Sequence, residues 1–232
     1  MQSFVNQPFL KKRATYAKWG SYVGIGALLI GLAVTQRSIL ISYAFLLVGL
    51  MGASLGSYMA NRYVHEPRAD QVLANVLDGL DKRYAMYHYY LPSNHVVASH
   101  YGLTVLIPRN QGGDVSYVKG RWQHKEGMRK LLQLIGEPAL GKPDQDVAAE
   151  VGWVQEWVTA NMPGQEIPVN GAIVFTNEKV NLHVNDAPAP AMTAADLAHF
   201  LKQGLKGQPT LSTAMQGELR RKLDETFETG QE

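Results

Sequence analysis

The residues able to do chemistry are few and scattered. Cysteine is absent, so no disulfide framework or thiolate metal site can form. The acids Asp70, Asp78, Asp81 and Asp114 are candidates for holding a divalent cation, because hard cations take oxygen ligands. Asp144-Gln145-Asp146 looks like a metal loop, but it precedes a helical pattern and reads better as an N-cap. The seven histidines are His65, His88, His95, His100, His124, His183 and His199. None has the spacing of a ligand pair, so structural or surface roles are expected of them. His95 and His100 are expected to project to opposite faces of one strand, which prevents a joint metal site there. Lys119, Arg121 and Lys125 surround Trp122 and could touch phosphates, although such a cluster usually forms a solvated hairpin. Trp153 and Trp157 lie four apart, a spacing that favours core packing over a stacking platform for bases. No cofactor motif is present.

These residues depend on elements that two apolar stretches introduce. Trp19 to Val34 and Ile39 to Ala60 contain no Asp, Glu, Lys or Arg, and only Thr35-Gln36-Arg37-Ser38 separates them. As a helix the second stretch reaches roughly 33 Å, enough to cross a bilayer's hydrocarbon core. Backbone amides in lipid must be satisfied internally, so a two-helix transmembrane hairpin over 19–36 and 39–60 is expected. Lys11, Lys12, Arg13 and Lys18 precede it, and Arg62, Arg68, Lys82 and Arg83 follow, while the loop carries Arg37 alone. By the positive-inside tendency this gives a multi-pass protein of the plasma membrane with both termini cytoplasmic. Trp19, Tyr22, Tyr58 and Tyr63 suit the same aqueous boundary. No ionisable residue lies within the spans, which argues against a channel, pump or proton relay. Gly20/Gly24, Ala27/Gly31 and Gly52/Gly56 are small residues four apart, a pattern that serves packing of the spans on each other or self-association into a homo-oligomer.

The 232 residues carry a formal net charge of +2, an overall excess too small by itself to indicate a nucleic-acid or anionic-lipid partner. Behind a cytoplasmic segment (1–18) and the hairpin, the chain has room for one soluble domain (66–206) and a C-terminal helix or tail (207–232). Ala69 to Leu80 is amphipathic, with Val72, Leu73, Val76, Leu77 and Leu80 at helical spacing. Tyr84–Leu91 reads as a strand. Val96–Ser99 and Leu103–Ile107 read as antiparallel neighbours around a His100-Tyr101-Gly102 turn, and Ser116–Val118 and Arg121–His124 as a hairpin around Lys119-Gly120. Helices are expected at Lys125–Ile135 and Asp144–Asn161, strands at Ala172–Phe175 and Val180–Val184. Thr193 with Asp196 forms a capping-box pattern ahead of a helix to Leu205, and a charged amphipathic segment runs from Ser212 to Phe227.

The run Asn94-His95-Val96-Val97-Ala98-Ser99-His100-Tyr101-Gly102-Leu103-Thr104-Val105-Leu106-Ile107-Pro108-Arg109-Asn110 resembles the nuclease-related domain (NERD) family. The order helix, strand, strand–turn–strand, then helices supports the resemblance over about Pro67–Trp122, with Gly102 matching the turn glycine. It implies an α/β fold, a mixed sheet of restriction-endonuclease-like type, in which two carboxylates hold a metal ion near a lysine. Here the first carboxylate position is Asn94, the second Ile107, and the lysine position Arg109. Asp70 stands in place of a helix glutamate, and its plainer role is to favour the start of its helix. An amide is a weak ligand for a hard cation, isoleucine is none, and arginine stays protonated. The expectation is a membrane-anchored, cytoplasmic NERD-like domain without catalysis, binding protein or nucleic acid. The alternatives are a metal-dependent nuclease with a site relocated to Asp70, Asp78, Asp81 or Asp114, and a structural membrane-assembly protein.

Overall fold

The structure, a computed structural model, describes residues 1–125 and 139–229. It divides into two compact units. One holds Gln7–Arg68. The other holds residues 1–6, 69–125 and 140–229.

The first unit is a helical hairpin of α1 (Gln7–Val34) and α2 (Ile39–Tyr63). Both helices are long and apolar enough to cross a membrane. Glycine sets their approach. A Cβ on Gly24 would lie 2.3 Å from the Ala53 amide nitrogen, and one on Gly49 would lie 2.8 Å from that of Leu28. Ser42 Oγ donates to the Gly31 carbonyl (2.7 Å) and lies 2.8 Å from Thr35 Oγ1, so the polar groups near the turn are satisfied within the hairpin. Helix α1 starts well before Trp19, and the basic stretch expected only as a cytoplasmic segment is its first turns.

The second unit is mixed α/β. Its main sheet has six strands in the order β1-β2-β3-β4-β7-β9. The strands are β1 (Gln2–Val5), β2 (Ala85–His88), β3 (His95–Ser99), β4 (Gly102–Arg109), β7 (Val169–Phe175) and β9 (Ala191–Thr193). β2, β3 and β4 are antiparallel neighbours, whereas β1, β7 and β9 join in parallel, so the sheet is mixed. The expected central pair is present with Val96 opposite Val105. A second sheet, β6-β5-β8, is built from β5 (Gly113–Val118), β6 (Arg121–Lys125) and β8 (Val180–Val184). The β5–β6 turn puts Lys119 and Gly120 at φ 52° and 74°, the left-handed pair that tight hairpins require.

Alternation along the strands separates two apolar layers. Met86, Val97, Leu106, Ala172 and Val174 face α3 (Ala69–Leu77) and α5 (Ala194–His199), the latter continued by a wider turn over Phe200–Gly204. Tyr87, Val96, Val105, Ile107, Ile173 and Phe175 face α4 (Pro143–Asn161) and α6 (Thr213–Thr229) through Val147, Val154, Val158, Leu219 and Leu223. The C-terminal segment therefore contributes to the core.

Several expectations change. Tyr84–Leu91 is a strand only over Ala85–His88, because Tyr89 turns to φ 66°. Lys125 ends β6, and the rest of the helix expected at Lys125–Ile135 lies outside the described residues. Lys142, not Asp144, is the N-cap of α4; Pro143 takes the first helical position and puts Asp144 and Asp146 in the first turn. Thr193 caps α5 by position, but its hydroxyl donates to the Asp196 carboxylate (2.6 Å) instead of accepting from the backbone. Trp153 is 50% exposed and not core, since Val147, Val154 and Val158 take the buried face of α4.

Candidate functional site

The matched positions are set by β3, β4, α3 and α4. Extending the β3–β4 register puts Asn94, just ahead of β3, opposite Ile107. Ile107 and Arg109 share a face of β4 by alternation, the one covered by α4. Ile107 is buried there among apolar side chains. Arg109 reaches the carboxylate of Asp146 in the first turn of α4 and also donates to the Pro108 carbonyl. One helical turn later, Ser93 Oγ donates to Glu150 Oε2 at 2.6 Å. The hydrogen bond seen at Asn94 is made by its carbonyl, which accepts from the Tyr89 amide at 2.8 Å.

Asp70 lies elsewhere. It sits in the first turn of α3, on the opposite face of the sheet, 2% exposed and 3.5 Å from the Tyr89 hydroxyl. Three of the four matched positions thus share one end of one face, and the fourth is separated from them by the sheet. Convergence on Asp70, implied by the resemblance, is not what the strands deliver, because residues 107 and 109 alternate away from the face that α3 covers. Chemically the cluster at β4 is an isoleucine, an amide and a guanidinium already paired with a carboxylate. None of the three supplies an anionic ligand.

The other acids do not assemble either. Asp78 is exposed at the end of α3, Asp81 forks onto Arg83, and Asp114 on β5 accepts from Asn181 Nδ2 at 3.0 Å. Among the described residues no three His, Asp or Glu side chains are grouped to hold a metal ion.

A feature the sequence did not disclose is a buried polar cluster on the α3 face. His88 and His95 are register partners on β2 and β3, and their Nδ1 atoms approach to 2.8 Å, so one ring donates and the other accepts. The Tyr89 ring packs edge-on to His95 at 5.1 Å. Asn6 ties in β1: its amide donates to the His88 carbonyl and its Nδ2 to the Tyr89 carbonyl, both at 3.1 Å. Asp70 completes the group from the first turn of α3. Asn6, Asp70, His88, Tyr89 and His95 are all under 9% exposed. A substrate could not reach them, so the cluster holds β1, the β2–β3 hairpin and α3 together. Only the β2–β3 register brings His88 and His95 together, across the Pro92-Ser93 turn.

His100 is not on the strand with His95; it occupies the turn, its ring 4.0 Å from that of Tyr101 and 5.8 Å from that of Tyr84. Burial, reinforced by the charge of Arg83 and partly opposed by Asp81, lowers its pKa. Arg83 holds the Asp81 carboxyl at about 2, through side-chain and backbone hydrogen bonds. Burial raises the Tyr84 hydroxyl. On the β5–β6 hairpin Lys119, Arg121 and Lys125 are exposed, but Trp122 packs against Tyr117 (5.2 Å) and Phe175 (6.1 Å), so the indole is committed to packing.

Comparison of the chain with family models, with curated proteins and with solved structures gives no match.

Proposed function

We propose that this chain is a membrane-anchored module. Helices α1 and α2 span the plasma membrane with both termini cytoplasmic, and the mixed α/β unit binds a macromolecular partner, protein or nucleic acid, without cleaving phosphodiesters. The anchor is supported by two long apolar helices whose outward surface carries Leu29, Leu32, Leu40 and Leu50, each at least 60% exposed. Such a surface is costly in water and ordinary in lipid. The NERD-like, restriction-endonuclease-like reading is supported by the order α3, β2, β3–β4, α4, β7. Fold likeness alone does not carry activity, which depends on the site.

The observation that carries the non-catalytic reading is the separation of Asp70 from Asn94, Ile107 and Arg109 by the sheet. Phosphodiester hydrolysis needs a cation fixed by converging oxygen ligands to stabilise charge on the phosphate oxygens. Asp70 alone on its face, with Asp146 paired to Arg109 and Glu150 bonded to Ser93 on the other, does not provide that. The test is incubation of the full chain, reconstituted in lipid nanodiscs, with DNA or RNA and Mg²⁺ or Mn²⁺. No cleavage is expected. Metal-dependent cleavage that disappears in Asp70→Ala would overturn the reading.

A further inference from the structure

The first turns of α1 lie outside the apolar span, yet they are continuous with it. Lys11, Lys12 and Lys18 are exposed on this part of the helix. Lys11, Lys18 and Tyr22 fall on one stripe, and Lys12, Tyr16 and Trp19 on the next, by helical spacing. Tyr16, Trp19 and Tyr22 are 50%, 64% and 67% exposed, so both stripes face outward. Helical side chains tilt toward the N-terminus, which carries the Lys18 ammonium away from the apolar span and toward Lys11 and Lys12. Arg62, at the end of α2, is occupied differently, donating to the Tyr58 hydroxyl at 3.0 Å. Between Gln7 and Arg68 the sole acidic residue is Glu66, which pairs with Arg68 at 3.8 Å. Nothing on the helix itself neutralises the three lysines.

We propose that Lys11 and Lys12, set just above the Tyr16–Trp19–Tyr22 aromatic band, and Lys18, which rises out of it, form a binding surface for the headgroups of anionic phospholipids. The inference rests on the reading of α1 as a membrane span. The band fixes depth, since tyrosine and tryptophan settle at headgroup level, and the lysines lie where lipid phosphates lie. A zwitterionic lipid carries its own cation beside the phosphate; an anionic one leaves that charge for the protein. Near a charged membrane surface each lysine favours anionic lipid by up to about fivefold. The attraction weakens with salt, because charges are screened within roughly 8 Å at physiological ionic strength.

Trp19 provides the reporter. The full chain is reconstituted in bilayers of equal parts phosphatidylglycerol and phosphatidylcholine, with acyl-chain bromine on one lipid or the other. Trp19→Phe supplies the background from Trp122, Trp153 and Trp157. Quenching of Trp19 is expected to be stronger when the phosphatidylglycerol is brominated. The difference should vanish in Lys11→Gln/Lys12→Gln/Lys18→Gln and, with no substitution, in high salt. Equal quenching by both lipids in the unsubstituted chain would overturn the headgroup proposal and leave the membrane span standing. Quenching no greater than in Trp19→Phe would overturn both.

Discussion

Gly102 is the position where a single methyl group should cost most for a reason visible at one atom. It follows Tyr101 in the β3–β4 turn with φ +106°, a conformation that L side chains rarely adopt. A Cβ there would lie 2.2 Å from the Pro168 carbonyl oxygen, the same oxygen that accepts from the Leu103 amide at 2.9 Å. Gly102→Ala therefore adds backbone strain of about 1–3 kcal/mol. It also displaces a carbonyl, with an overpacking cost of about 1–3 kcal/mol. Loosening the Leu103 bond adds about 1 kcal/mol. The sum, roughly 3–7 kcal/mol, is a large share of the ~5–15 kcal/mol typical of a folded domain. Gly120→Ala is the control, because Gly120 has φ +74° but no atom within 4 Å of its would-be Cβ, so backbone strain of about 1–2 kcal/mol acts alone. Urea titrations of both variants, followed by near-UV circular dichroism of the full chain in detergent, should put Gly102→Ala far below Gly120→Ala. Equal midpoints would refute the argument that the Pro168 carbonyl crowds this turn.

His88→Leu should lose about 1–3 kcal/mol, because it removes one member of a buried hydrogen bond. His88→Leu/His95→Leu should lose less than the two single changes summed, and additive losses in that double-mutant cycle would mean the rings are not coupled. The pH dependence has a definite sign at two groups. The Asp81 carboxyl is held at about 2 against an ordinary 3.8, so its contribution is present above pH 3.8 and lost as pH falls toward 2. The pair is solvent-exposed, so that contribution is under about 1 kcal/mol, and Asp81→Asn should flatten only this acid limb of a melting-temperature profile. The lowered His100 pKa makes the folded chain bind fewer protons than the unfolded one, so its contribution is lost as pH falls below the ordinary 6.5; His100→Gln should flatten that part of the profile.

Local pattern revealed much of the architecture. The apolar runs on either side of Thr35-Gln36-Arg37-Ser38 are the two long helices, and the valine-rich segments around Gly102 are the paired β3 and β4. Lys119-Gly120 is the hairpin turn its residues implied. Gln2–Val5 could not be read as a strand, because what pairs it is β2, some eighty residues away, and the Asn6 bonds that lock it there are equally remote. Trp153 shows the reverse limit: helical spacing put Val147, Val151, Val154 and Val158 on one face of the helix, but not that Trp153 beside them would stay outside the core. For the candidate site, the residue types at Asn94, Ile107 and Arg109 already lacked the chemistry. What the sequence could not give was the face of the sheet each occupies, since that depends on which side α3 crosses.

The spanning hairpin can be tested directly because the chain has no cysteine of its own. Gln36→Cys is placed in the exposed turn between α1 and α2, and Lys206→Cys in an exposed turn of the α/β unit. Intact cells expressing each variant are treated with a membrane-impermeant maleimide. Labelling of position 36 in intact cells, with position 206 labelled only after permeabilisation, is the expected result. Labelling of position 206 but not position 36 in intact cells, or protection of both until the cells are opened, would contradict a hairpin that crosses the plasma membrane with its termini inside.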